Sequence, residues 1–161
     1  MNNQLTDREA VTEQMNAAPI TITVLDDPED GALLTLENHF LAEIDEELMT
    51  AEKHERLSKA VREEKITFFI ALQDCKAVGM CSVSKCFSTF SCNDIGVFDD
   101  FYIEPAFRKI GIARKLAKTA QDWCLNHQMA SLTVCCAPCD EGMYQALGFS
   151  VHLGNTYTHL R

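Results

Sequence analysis

Positive charge is scarce in this chain: its 161 residues carry 14 Lys and Arg against 24 Asp and Glu, a formal net charge of −10. Nucleic acid and anionic membrane surfaces are held by basic faces, so neither is expected as a partner. Long apolar runs are also lacking. Nothing approaches the roughly 18 apolar residues needed to cross a bilayer, and Met1 to Ala18 lacks the basic-then-apolar layout of a signal peptide. A cytoplasmic protein is expected, free of membrane and nucleic-acid partners. Internal repeats and low-complexity tracts are absent. So are the two short paired spacings of a structural zinc site, since only Cys136 and Cys139 form a C-x-x-C. No metal is expected. Of the eight cysteines, four fall in apolar strand-like runs, Val78 to Phe87 and Leu132 to Ala137, and the set reads as small buried hydrophobes rather than a disulfide framework.

What is present is one domain's worth of chain. Residues 1–18 are polar and without sustained periodicity, and are expected to form a flexible N-terminal segment ahead of a domain spanning 19–161. Ile20, Ile22 and Val24 alternate with threonines, a half-buried strand that ends at Asp26-Asp27-Pro28. Leu33, Leu36, Phe40, Ile44, Leu48, Leu57 and Val61 recur at intervals of mainly three or four, which predicts two amphipathic helices over 31–64. Thr67 to Leu72 and Ala77 to Phe87 read as a hairpin around the turn at Gln73 to Lys76. A third strand of this group runs from Ile95 to Ile103, and a long helix begins near Gly111. After it come a strand at Ser131 to Ala137, a short helix at Asp140 to Leu147, and a closing strand pair at Phe149 to Leu153 and Thr156 to Leu160. This alternation defines an α/β (α+β) class: a central mixed β-sheet flanked by helices.

Two features in this frame carry chemistry. The strand at Ile95 to Ile103 contains the adjacent carboxylates Asp99 and Asp100. In a regular strand these point to opposite faces, so one of them faces inward unless a bulge re-aims it. The second feature is the short basic loop Arg108-Lys109-Ile110-Gly111-Ile112-Ala113 between that strand and the long helix. Backbone N–H groups at a helix N-terminus converge on an anion, the helix dipole favours it, and small residues allow close approach. Arg108, Lys109, Arg114, Lys115 and Lys118 make the stretch locally positive, which opposes the dipole unless an anionic ligand offsets it.

The segment Asp99 to Ala113, with its Phe101-Tyr102-Ile103-Glu104-Pro105 strand end and the R-x-x-G-x-A loop Arg108 to Ala113, resembles the signature of the GNAT superfamily of acetyltransferases. Downstream, Met143-Tyr144-Gln145-Ala146-Leu147-Gly148-Phe149 resembles the family's F-Y-x-x-x-G-F element at the expected spacing. The two motifs together cover about residues 95–150. The sequence departs from the pattern in carrying Lys109 and Ile110 where glycines are common, and Ala137 where many members have an asparagine.

The resemblance implies a GNAT-like fold with a twisted sheet, acetyl-CoA as co-substrate, and direct acetyl transfer to a primary amine of a small molecule. Its alternatives are a protein N-terminus or lysine as acceptor, or a non-catalytic acyl-CoA sensor. It further implies that the backbone of Phe101, Tyr102 and Ile103 holds the pantetheine arm, and that Arg108, Lys109, Ile110, Gly111, Ile112, Ala113 and Arg114 hold the pyrophosphate. Tyr144 is expected to protonate the departing thiolate, and Asp99, ahead of Asp100, to bind the amine or relay its proton. A homodimer is expected because many relatives pair C-terminal strands. The acidic run Glu37, Glu43, Asp45, Glu46 and Glu47 reads chiefly as a solvated helix face. Cys135, Cys136 and Cys139 have no His paired with them in the sequence, which argues against a covalent cysteine intermediate.

Overall fold

The computed structural model describes residues 18–154. Strand β1 (Thr21–Val24) is followed by helices α1 (Gly31–Glu43) and α2 (Ala51–Arg62). The strands β2 (Ile66–Gln73), β3 (Lys76–Ser88) and β4 (Asn93–Ile103) come next, then a 3₁₀ turn at Pro105–Phe107, helix α3 (Ile112–Asn126), strand β5 (Leu132–Val134) and the short helix α4 (Glu141–Ala146). Among the described residues no helix is long and apolar enough to cross a membrane.

The five strands form one sheet in sequence order. The pairs β2–β3 and β3–β4 are antiparallel, as their short turns dictate, β1 pairs antiparallel with β2 across the two intervening helices, and β5 pairs with β4 in parallel after the α3 crossover. Helix α1 starts where the Asp30 carboxylate accepts from the Ala32 N–H at 3.1 Å, and α2 where Thr50 Oγ1 accepts from the Lys53 N–H at 3.2 Å.

The sheet is covered on both faces. On one, Leu33 and Leu36 of α1 meet Phe68, Ile70, Met80 and Tyr102. On the other, Ile112, Leu116, Ala117, Ala120 and Cys124 of α3 meet Phe69, Ala71, Cys81, Val83 and Phe98. These buried surfaces are the apolar stripes of the two helices, and their burial is the main favourable term in the fold.

Where β3 passes β4, Gly79 allows a close approach. A Cβ there would lie 2.9 Å from the Tyr102 carbonyl oxygen and 3.2 Å from Ile103 Cγ1. Because the first obstacle is backbone, Gly79→Ala is expected to wedge the strands apart and cost about 1–3 kcal/mol, read as a lowered urea midpoint with unchanged m-value.

Three sequence expectations change. Phe149 to Leu153 is not a strand: only Phe149 packs on the core, and Val151 and Leu153 are 77% and 78% exposed. The fifth strand is shorter than Ser131 to Ala137, its ladder stopping at Val134. Only Cys81 and Cys124 are buried, whereas Cys75, Cys86, Cys92, Cys135, Cys136 and Cys139 are exposed, because they occupy turns and strand ends rather than the sheet interior. The segment expected at 1–18 and the strand expected at Thr156 to Leu160 lie outside the described residues, apart from Ala18, whose carbonyl accepts from Gln73 Nε2 at 3.1 Å.

Candidate active site

β5 matches β4 only from Gly96 to Phe98, opposite Leu132 to Val134, while β4 continues to Ile103. Beyond Phe98 the backbone of β4 therefore has no strand neighbour on that side among the described residues, and a wedge opens between the two strands. The Tyr102 carbonyl is turned toward Gly79 on β3. Peptide groups alternate sides along a strand, so Phe101 and Ile103 turn theirs toward the wedge. The Ile103 carbonyl there accepts from Arg108 Nε at 2.8 Å.

At the top of the wedge the chain turns through Lys109, φ 65°, and Gly111, φ 92°, into α3. Among the described residues no side chain caps this helix, and no acid stands in its first turn. Its first N–H groups are thus left for solvent or an external acceptor. Lys109, Ile110, Gly111 and Arg114 are exposed around them, Ala113 is half-buried, and Ile112, in the core, anchors the turn. A Cβ on Gly111 would meet nothing within 4 Å, so the space above the helix end is open.

Arg108 is drawn away from this end. Its guanidinium pairs with Glu43 of α1 and lies 5.8 Å from the centroid of the Tyr102 ring. His39 Nδ1 lies 2.6 Å from Glu104 Oε1, a second tie between α1 and the end of β4.

At the base of the wedge β4 carries one extra residue. Met80 pairs with Tyr102 and Ser82 with Asp99, three steps on β4 against two on β3. The bulge is centred on Asp99 and Asp100, with Asp100 at φ 48°. Its two carboxylates are directed differently. Asp99 is exposed and accepts from the Asp100 N–H at 3.0 Å, whereas Asp100 is more buried and accepts from Ser82 Oγ at 2.6 Å. Burial raises the Asp100 carboxyl above the ordinary range and the Asp99 charge adds to this, while the Ser82 hydroxyl opposes it.

Tyr144 projects from α4 onto the aromatic rings of Phe98, Phe101 and Phe149, with centroids 6.0–6.4 Å away. Its half-buried setting, with Cys136, Asp140 and Asp99 nearby, pushes the phenol up to about 12. It stays protonated at neutral pH and is available as a proton donor. Among the site residues named from the sequence, the structure thus brings together Asp99, Tyr144, the Phe101–Ile103 strand end and the Lys109–Arg114 turn, and directs the Arg108 side chain toward α1.

One residue counted as part of a solvated face is buried. Glu37 is 4% exposed, and its Oε1 has no hydrogen-bond partner among the described residues. Burial first, then the charges of Asp100 and Asp99, raise its carboxyl from 4.5 to about 8. The signal was in the spacing, because Glu37 lies four residues after Leu33 and next to Leu36, on the stripe that faces the sheet. Glu43, Asp45, Glu46 and Glu47 are exposed.

Between about pH 4.5 and 8 the folded chain holds a proton on Glu37 that the unfolded chain has released, so stability falls as pH rises through this window. The slope is up to about 1.4 kcal/mol per pH unit from this group. Glu37→Gln is expected to flatten that slope, measured by urea unfolding at a series of pH values across the window.

A cavity of about 800 Å³ lies along β5 and is walled by residues 148–154. It shares Tyr144 with the site but touches neither Phe101–Ile103 nor the Lys109–Arg114 turn. The wedge, with open β4 backbone above and Asp99 and Tyr144 at its base, is thus distinct from this cavity except at Tyr144.

The sequence model of the acetyltransferase (GNAT) family matches residues 32–149. Comparison with curated proteins gives no match. Among solved structures, the chain is similar to an aminoglycoside acetyltransferase from an uncultured soil metagenomic sample in complex with trehalose: 16% identity, 88% of this chain and 95% of that one, TM-score 0.78. It is similar to a predicted acetyltransferase with acetyl-CoA from Clostridium acetobutylicum, at 13% identity, 88% and 96% coverage and TM-score 0.73. It is also similar to glucosamine-6-phosphate N-acetyltransferase from Arabidopsis thaliana, at 14% identity, 89% and 99% coverage and TM-score 0.69. These likenesses extend over most of each chain and concern the fold, while the match over residues 32–149 settles the family: the chain belongs to the acetyltransferase (GNAT) family.

Proposed function

We propose that this chain transfers the acetyl group of acetyl-CoA directly to a primary amine of a small molecule within a ternary complex. The observation that carries the reading is the continuity of the site. Open backbone at Phe101 and Ile103 leads on one side to the uncapped end of α3 and on the other to Asp99 and Tyr144.

In this reading the N–H groups of the α3 first turn hold the pyrophosphate, and Phe101 and Ile103 hold the pantetheine arm as an added strand would be held. Lys109 and Arg114 supply positive charge at the rim, and Arg108 fixes the end of β4 through Glu43 and the Ile103 carbonyl. Asp99 takes up, through water, the proton that the acceptor's ammonium gives up. The neutral amine then attacks the thioester carbonyl, and backbone donors at the bulge stabilise the oxyanion. Tyr144 donates its proton to the departing thiolate and regains one from the newly acylated nitrogen.

A small-molecule acceptor is favoured over a protein because the similar solved structures include aminoglycoside acetyltransferases, one of them in complex with sisomicin. A homodimer is part of the proposal, supported by the outer edge of β5, which pairs with no strand among the described residues.

Calorimetric titration of the full chain with acetyl-CoA tests the reading. Binding in the micromolar range is expected, and a folded chain that binds none overturns it.

A further inference from the structure

Four titratable groups act on one another between the α1 face of the sheet and α4: Glu37, Asp100, Asp99 and Tyr144. The charges of Asp100 and Asp99 help raise the Glu37 carboxyl, and that of Asp99 helps raise the Tyr144 phenol. The cluster is unusual in what it lacks. Among the described residues no Lys or Arg pairs with Glu37, Asp99 or Asp100, although the surface acids Glu29, Glu43, Glu47 and Glu63 all have cationic partners. Its innermost member, Glu37, is nine-tenths buried with an oxygen that has no hydrogen-bond partner among the described residues. A buried carboxyl in that state is costly unless a partner arrives.

The attacking amine cannot be that partner for long, because it is neutral when it reacts. Glu37, which keeps its proton at neutral pH, and Asp100 therefore stay without a cationic partner throughout the reaction, unless the acceptor carries a second positive charge that never reacts.

We infer that Glu37 and Asp100 form a cation subsite for a second, non-reacting ammonium group of the acceptor, and that the acceptor class is accordingly a di- or polyamine. The reacting amine sits at Asp99 and Tyr144, and the second ammonium lies deeper, against α1. Glu37 is a specificity-determining residue in this scheme and takes no part in bond making. The titratable groups that face it are Asp99 and Asp100 of β4, and β3 contributes the neutral Ser82 on the Asp100 side. When the ammonium binds, Glu37 releases its proton to solvent and its carboxylate pairs with the cation. No covalent step is involved.

The inference rests on the acetyl-transfer reading for what happens next, but binding tests it alone. The full chain is titrated calorimetrically with 1,4-diaminobutane and with butylamine, at pH 7 and in two buffers of different ionisation enthalpy. The diamine is expected to bind at least about tenfold more tightly than the monoamine, with net proton release. In Glu37→Gln the preference is expected to fall to about twofold or less and the proton release to disappear, with acetyl-CoA affinity unchanged.

Equal affinity of the parent for the two amines, or a preference that survives in both Glu37→Gln and Asp100→Asn, overturns the inference and leaves the acetyl-CoA reading standing. Failure of acetyl-CoA to bind overturns that reading without touching the diamine preference. Should Glu37→Gln not fold, carboxyl ¹³C resonances of the parent decide. Glu37 is expected to ionise on adding the diamine at pH 7, and a Glu37 signal that does not respond contradicts the inference.

Discussion

Gly111→Asp is expected to abolish measurable acetyl-CoA binding, a loss of at least about 100-fold, or about 2.7 kcal/mol. The substitution acts at the one point where α3 opens to an external acceptor. Gly111 sits at φ 92° with no side-chain cap beside it, and its N–H belongs to the same exposed turn as those of Lys109 and Ile110. An aspartate there brings a carboxylate to the place proposed for the pyrophosphate and offers the helix its own negative cap. The new side chain meets nothing within 4 Å, so the cost to folding is confined to the backbone strain of a positive φ, roughly 1–2 kcal/mol. Gly111→Ala separates the two effects, since it carries the same strain without the charge. About a tenfold loss is expected for it, by the same titration. Equal affinities for parent and Gly111→Asp would mean that the anion site lies elsewhere.

Tyr144→Phe is expected to lower kcat by about 10²–10⁴-fold, the range for removal of a general acid, while leaving acetyl-CoA affinity within about twofold. The split follows from the two things the side chain does. Its ring packs on Phe98, Phe101 and Phe149, and phenylalanine preserves that packing. Its hydroxyl is the proposed proton donor at the base of the wedge, and phenylalanine removes it. Because the phenol is pushed up to about 12, its ionisation does not limit the parent's rate at any pH below about 11. Stopped assays of thiol release, run beside calorimetry on the same preparation, read both quantities. An unchanged kcat would reduce Tyr144 to a packing residue of α4.

Much of this site was legible in the sequence because local chemistry dictated it. Adjacent aspartates cannot both be accommodated in a regular buried strand, and a bulge at Asp99 and Asp100 resolves the conflict. Basic residues ahead of a helix with no cap side chain marked the turn at Lys109 to Arg114 as a place for an anion. Glu37 was hidden by its company. Read with Glu43 to Glu47 it is one more acid, and only its position on the Leu33 and Leu36 stripe separates it from them.

Tertiary context decided the rest. Phe149, Val151 and Leu153 alternate as a strand does, but a strand exists through its partner, and none pairs with this stretch among the described residues. The exposed cysteines were misread for a related reason. Apolar neighbours in sequence suggest burial, while Cys86 and Cys135 stand where a strand has already left the sheet interior or ended. The turning-in of Arg108 depended on Glu43, 65 residues earlier in the chain, and no local pattern could signal it.

Acetyl is proposed to pass directly from acetyl-CoA to an amine at the wedge between β4 and β5. The measurement that tests it most directly is the initial rate of thiol release with acetyl-CoA and 1,4-diaminobutane both varied. Amine-dependent release with intersecting double-reciprocal lines is the expected result, whereas parallel lines, or release that does not depend on the amine, would contradict it.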